Sequence, residues 1–256
     1  MSDSISLVTR AILEANGPAI AGYVTAGFPD LDRFPAILES VASHVDVVEV
    51  GVPFSDPMAD GLTIQQASHV ALESGVDLGW IFDTLERLDL KAPHVLMGYY
   101  NPFLAFGFER LVDRMSAVGT SGLIVPDLPL EESGELSGHL EPRGLGLIQL
   151  VAPTTPADRL ELLAGASRGF VYAVTTKGTT GGATSLDEGV LSYLDRVKGV
   201  SELPVLAGFG VRESAQVAHL AEHVDGVAIG TALIDTIERG DDPGVFLDGL
   251  RSGALS

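Results

Sequence analysis

No cysteine occurs in the 256 residues, which removes disulfides, thiolate nucleophiles and cysteine-based zinc sites from consideration. Basic residues are also scarce. Fifteen Lys and Arg stand against 35 Asp and Glu, a formal charge of −20, so long-range electrostatics oppose DNA, RNA and anionic membranes. No apolar run reaches the length needed to cross a bilayer. The opening "MSDSISLVTR" has neither the basic and apolar regions of a signal peptide nor an Arg-rich transit character, so a soluble cytoplasmic protein is expected. Linkers, low-complexity tracts and short repeats are missing too, and one domain over residues 1–256 is the expectation.

What the chain does have is a set of short apolar runs. Eight of them read as strands: "AIAGYVTAG" (19–27), "VDVVEVGVP" (45–53), "PHVLMGYY" (93–100), "SGLIVPD" (121–127), "LGLIQLVA" (145–152), "GFVYAVT" (169–175), "PVLAGFG" (204–210) and "GVAIGTAL" (226–233). Most are apolar on both parities, as parallel strands covered on both faces are, and most end in Gly, Pro or Asp. Amphipathic segments such as "LDRFPAILESVASH", "GFERLVDRMSAVG" and "RESAQVAHLAEHV" alternate with them. In "TTPADRLELL", Thr155 is placed to cap a helix and Pro156 to open it. Residues 54–92 have room for two helices, "TIQQASHVALESG" and "LGWIFDTLERL". The expected class is α/β, a (β/α)8 TIM barrel with an N-terminal helix and extra helices in the loops after strands 2 and 8; a doubly wound open sheet is the alternative.

In such a barrel chemistry belongs at the carboxyl ends of the strands, which here carry Glu49, Asp60, Tyr99, Asp127, Tyr172, Lys177, Gly208, Gly210, Gly230 and Thr231. Glu49 shares strand parity with Val47 and Gly51. Burial there raises a carboxyl pKa and suits it to proton transfer, but a structural Glu bonded to backbone or to a cation fits the pattern equally. Asp60, before a Gly, is by itself a turn residue; its pairing with Glu49 is what points to chemistry. Glycines in "PVLAGFGVRESAQ" and "GVAIGTALIDTIERG" stand where strands seven and eight pass into helices, an arrangement that offers backbone N–H groups to a phosphate. "TTKGTTGGATS" reads as a lid. His219 and His223 have i,i+4 spacing with no carboxylate to complete a metal site, and no metal is expected. Trp80 reads as helix packing.

The motif "VEVGVPFSDPMADGLTIQ", with "GYVTAGFPD", "LMGYYNP", "LIVPDLPLEES", "TTGG", "LAGFGV" and "GVAIGTALI" in order, resembles the tryptophan synthase alpha subunit family over nearly the whole chain. The resemblance implies a barrel that cleaves indole-3-glycerol phosphate to indole and glyceraldehyde 3-phosphate by a reverse aldol reaction, with neither metal nor organic cofactor. It implies that Glu49 is the general acid and base at the indole C3 and the side-chain hydroxyl, and that Asp60 bonds the indole N–H. By the same resemblance Tyr23, Tyr99 and Tyr172 lie near substrate. Gly181, Phe209, Gly208, Gly210, Gly230 and Thr231 match phosphate-binding segments, and Thr180 the lid threonine. A beta-subunit partner in an alpha2beta2 assembly is implied, touching exposed loops that carry Pro53, Phe54, Asp56 and Asn101, Pro102, Phe103. Two departures stand out: Leu62 replaces the family's usual Pro and is expected to loosen the Asp60 loop, and the lid lacks the Val that normally precedes its Thr-Gly. Two other readings are a Schiff-base aldolase using Lys177 and a weakly active subunit that mainly activates a partner.

Overall fold

Each of the eight apolar runs forms a parallel strand in a computed structural model, which describes residues 4–175, 188–208 and 210–254. The strands are β1 (Ala19–Thr25), β2 (Val47–Gly51), β3 (His94–Met97), β4 (Gly122–Ile124), β5 (Gly146–Val151), β6 (Val171–Val174), β7 (Val205–Gly208) and β8 (Gly226–Ile229). They pair in chain order and β8 pairs back onto β1, closing the barrel. The open-sheet alternative is therefore excluded. Nearly every strand residue is buried, because side chains of one parity fill the barrel and those of the other meet the helices.

The helices are α1 (Ser4–Leu13), α2 (Phe34–Ala42), α3 (Leu62–Glu73), α4 (Leu78–Leu85), α5 (Tyr100–Phe106), α6 (Phe108–Ala117), α7 (Gly134–Leu140), α8 (Ala157–Ala166), α9 (Glu188–Val200), α10 (Ser214–Leu220), α11 (Thr231–Glu238) and α12 (Pro243–Ala254). The N-terminal helix and the additional helices after β2 and β8 agree with expectation. The connection after β3 also holds two helices, which the sequence pattern did not suggest. Its first, α5, is only seven residues long and has no side-chain cap of its own.

Local chemistry explains most boundaries. Asp77 caps α4 by accepting the Trp80 N–H at 2.7 Å, and the Trp80 ring then packs on Phe34 of α2, with centroids 5.8 Å apart. The capping expectation for α8 needs correction. Pro156, with ψ 156°, is the cap residue itself, and Thr155 turns back to accept the Ala152 N–H at 3.0 Å. The extended ψ of Pro156 keeps it outside the helix, which starts one residue later than expected.

At the amino-terminal end of the barrel the charged and ring groups are paired, whereas the buried Ser121 Oγ, just before β4, has no partner among the described residues. Ile5 of α1 fills the floor, where a Cβ on Gly146 or Gly169 would stand 2.5 and 2.7 Å from its side chain. Asp46, just before β2, accepts the Ile20 N–H and the Arg251 guanidinium, each at 2.8 Å. Asp225, just before β8, repeats the device with the Val205 N–H and Lys198. His94 bonds Thr120 at 2.9 Å, and burial lowers its pKa to about 4.

Candidate active site

Tyr23, Glu49 and Val95 are register partners on β1, β2 and β3, so all three point into the barrel. Glu49 is 1% exposed and neither carboxylate oxygen has a hydrogen-bond partner. Among the described residues no backbone group or cation holds it, which does not favour the structural reading left open by the sequence. Burial alone pushes its pKa up to about 8, because an ionised carboxylate there loses its hydration and gains no bond in return. Burial thus favours the neutral acid over the carboxylate.

Asp60 reaches the same cavity from the loop after β2, and that loop is held at several points. The Tyr99 hydroxyl donates to Asp60 Oδ2 at 3.2 Å and accepts the Ala59 N–H at 2.8 Å. Gln65 Nε2, in the first turn of α3, donates to the Asp60 carbonyl oxygen at 2.8 Å. The Phe54 ring stacks on Tyr99, 5.1 Å between centroids. Burial raises the Asp60 pKa to about 6 against the opposing effect of the Tyr99 hydroxyl. The two carboxyls in one cavity are thus shifted by different amounts, Glu49 further toward the neutral acid than Asp60.

Leu62 follows this loop directly. It opens α3 as its first residue, where an N–H has no intrahelical partner to supply, and Gly61 before it is extended at φ −76°, ψ 167°. Gln65 and Tyr99 each bond Asp60 in the loop before it.

Tyr172 of β6 and Tyr23 lie across the barrel mouth, and both need clearance from glycine. A Cβ on Gly51 would stand 2.1 Å from the Tyr23 hydroxyl, and one on Gly208 2.2 Å from the Tyr172 ring. Burial pushes both phenols well above their usual pKa, so both stay neutral. Ile64, Met97 and Ala228 complete an apolar lining beside Glu49. Sequence reading missed these three. Inward strand parity would have found Met97 and Ala228, whereas Ile64 comes from the inserted helix.

The two glycine segments differ. The amino terminus of α10 is closed by its own capping box, with Glu213 and Gln216 bonding the turn reciprocally. Gly230 precedes α11 with no side chain to cap it, and Gly210, Gly230 and Thr231 all line the cavity. The α11 terminus is therefore the better anion site, and Gly208 serves mainly to clear Tyr172. Lys177, Thr180, Gly181 and Phe209 lie outside the described residues.

Two of the partner-facing expectations are corrected. Pro53 is buried, and Phe103 is 0% exposed because its ring packs into the core beside Gly98. Asp56 and Asn101 are exposed, Phe54 and Pro102 are half-buried, and Met58, Leu62 and Leu104 are the exposed large apolar side chains on these segments. His223 pairs with Asp195 at 2.6 Å, and among the described residues no three His, Asp or Glu converge on one point. A larger groove, about 630 Å³, runs along α3 past Phe54, Pro57 and Leu62, but its ionisable residues His69 and Glu238 are exposed and unlike the cavity carboxyls.

The family model described as tryptophan synthase alpha chain matches residues 10–247. A tryptophan synthase alpha chain of Nitratidesulfovibrio vulgaris is 43% identical over 250 residues, 95% of this chain and 97% of that protein. One from Roseiflexus sp. is 41% identical over 244 residues, 93% of each. A solved structure of Mycobacterium tuberculosis tryptophan synthase superposes with a TM-score of 0.90 at 34% identity, covering 99% of both chains. With a closed barrel, two carboxyls in one cavity and full-length relatives, the chain belongs to the tryptophan synthase alpha chain family.

Proposed function

We propose that Glu49 moves the protons and Asp60 holds the developing charge in this family's lyase reaction. The chain is a carbon–carbon lyase of tryptophan biosynthesis that cleaves indole-3-glycerol phosphate to indole and glyceraldehyde 3-phosphate. In this reading the neutral Glu49 carboxyl gives its proton to the indole C3, and positive charge spreads to the ring nitrogen. Asp60, ionised, accepts the indole N–H and stabilises that charge in a site from which water is largely excluded. Glu49, now a carboxylate, takes the proton of the side-chain hydroxyl. The carbon–carbon bond breaks, its electron pair returns to the ring, and the aldehyde leaves with indole. One proton is given and one is recovered, so Glu49 ends as it began.

Supporting observations are spread over the cavity. Ile64, Met97 and Ala228 offer an apolar surface to a flat ring, and the uncapped α11 terminus beside Gly210, Gly230 and Thr231 suits the phosphate. The single observation that carries the assignment is the Glu49 carboxyl, buried and unbonded, with its pKa moved to about 8. A beta subunit is the partner this reading supplies, docking on Asp56, Asn101 and Pro102 with the exposed Met58, Leu62 and Leu104. The test is indole release from indole-3-glycerol phosphate by the purified chain, alone and with a beta subunit. Release abolished in Glu49→Gln supports the reading, and release at the parent rate in that variant contradicts it.

A further inference from the structure

Asp127 lies beyond β4 in "VPDLP", a segment stiffened by Pro126 and Pro129. Its Oδ1 accepts the backbone N–H of Tyr100, first residue of α5, at 2.9 Å. Helix α5 has no cap of its own, since the cap residue Tyr99 sends its side chain elsewhere. The acceptor for that first turn thus comes from 27 positions along the chain. Tyr99 is extended at φ −84°, ψ 157° and 4% exposed. Its hydroxyl meets both Ala59 and Asp60. Asp127 and Asp60 are therefore two links apart, through one backbone N–H and one phenol.

We propose that Asp127 is a positioning residue for the lyase reaction: by fixing the backbone at Tyr99 and Tyr100 it fixes where the Tyr99 hydroxyl holds the Asp60 carboxylate. This rests on the reading of Asp60 as the partner of the indole N–H. The Asp127 side chain is exposed, so the single bond is worth little to global stability. Its value is geometric, because a catalytic carboxylate displaced by a fraction of an ångström stabilises the transition state less well. The ionisable groups facing Asp60, among the described residues, are Tyr99, which bonds it, and Glu49, Tyr23 and Tyr172 on the cavity. Of these, Tyr99 feels the Asp127 charge, which only raises a phenol pKa already well above the assay range, and the others do not, so their titration stays as in the parent when Asp127 is changed.

Four full-length variants test this by indole release across pH: Asp127→Ala, Asp127→Asn, Tyr99→Phe and Asp127→Ala combined with Tyr99→Phe. Asp127→Ala lowers kcat about three- to ten-fold with KM nearly unchanged, since the lost alignment matters most in the transition state. The acid limb of kcat/KM moves to higher pH, because a looser Tyr99 bond favours ionised Asp60 less. The substrate phosphate titrates near pH 6 as well, so the shift between variants carries the assignment. Asp127→Asn keeps an acceptor for the Tyr100 N–H and restores the parent kcat. The double variant is no slower than Tyr99→Phe alone, as links of one chain are not additive. Equal losses in Asp127→Ala and Asp127→Asn, or full additivity with Tyr99→Phe, would overturn the inference. So would an Asp127→Ala variant with the parent kcat and pH profile while Asp60→Asn is impaired. An unimpaired Asp60→Asn would instead refute the reading of Asp60 on which it rests.

Discussion

Asp46 precedes β2 at the barrel floor and Glu49 lies three residues further on, midway along the strand, and their surroundings are opposite. Asp46, at the floor, accepts a backbone N–H from the neighbouring strand and a guanidinium from α12. Glu49, toward the mouth, has no hydrogen bond among the described residues. The floor pairs its ionisable groups: Asp46, Asp225 and His94 are each hydrogen-bonded, and Ile5 fills the space between glycines. The mouth leaves a carboxyl unsatisfied, at a cost in stability, and thereby holds a proton donor ready at neutral pH. One sheet thus separates stability from chemistry by the end of the strand at which a charge is placed.

The largest effect should come from removing the unsatisfied group. Glu49→Gln is expected to lower kcat by about 10⁴-fold or more, since both proton steps pass through one carboxyl. The same change should stabilise the fold at alkaline pH. Burial raises this pKa from the ordinary 4.5 to about 8, so Glu49's contribution to stability is fully present below pH 4.5 and is lost as pH rises toward 8. Denaturant titrations at pH 8 to 9 should show the Gln variant more stable by a few kcal/mol, roughly, and that difference should vanish near pH 4. Next in size is Asp60→Asn, expected to cost about 10²- to 10³-fold in kcat by steady-state assay, because an amide still accepts the indole N–H but no longer offsets its charge.

At the floor the signs reverse. Asp46→Ala should leave kcat within about two-fold of the parent and cost about 2 kcal/mol of unfolding free energy, since it strands the Arg251 guanidinium and the Ile20 N–H. A large loss of turnover there would break the separation of the two ends. The smallest effect is expected from Leu62→Pro. At the first position of α3, behind an extended Gly61, proline fits, and a gain of about 0.5 kcal/mol with unchanged kcat is expected from thermal unfolding and assay together.

The strands were legible because each is a short run apolar on both parities, the mark of a strand buried on two faces. Their ends came out shorter than the runs, since Gly and Pro at the mouth already belong to loops; Gly230 and Thr231, for example, pass into α11. Helix α5 was not legible: its seven residues give no periodicity, and its cap is Asp127, far along the chain. Pro53 and Phe103 were taken for surface groups because apolar residues in loops look exposed until the loop's own packing is known. Glu49 stood out as a charge in an apolar strand, but whether it was bonded depended on residues from other strands. Gly208 shows the same limit. Its proximity to a phosphate segment was readable, whereas the Tyr172 ring that requires it lies one strand away.

The most direct test of the account is the protonation state of Glu49 itself. Infrared difference spectra between the parent chain and Glu49→Gln, recorded from pH 5 to 10, isolate one buried carboxyl. The account predicts a protonated carboxyl band that persists at pH 7 and disappears with a midpoint near pH 8. A band already absent at pH 6 would mean that Glu49 is an ordinary carboxylate, and the division of labour between the two ends of the barrel would fall with it.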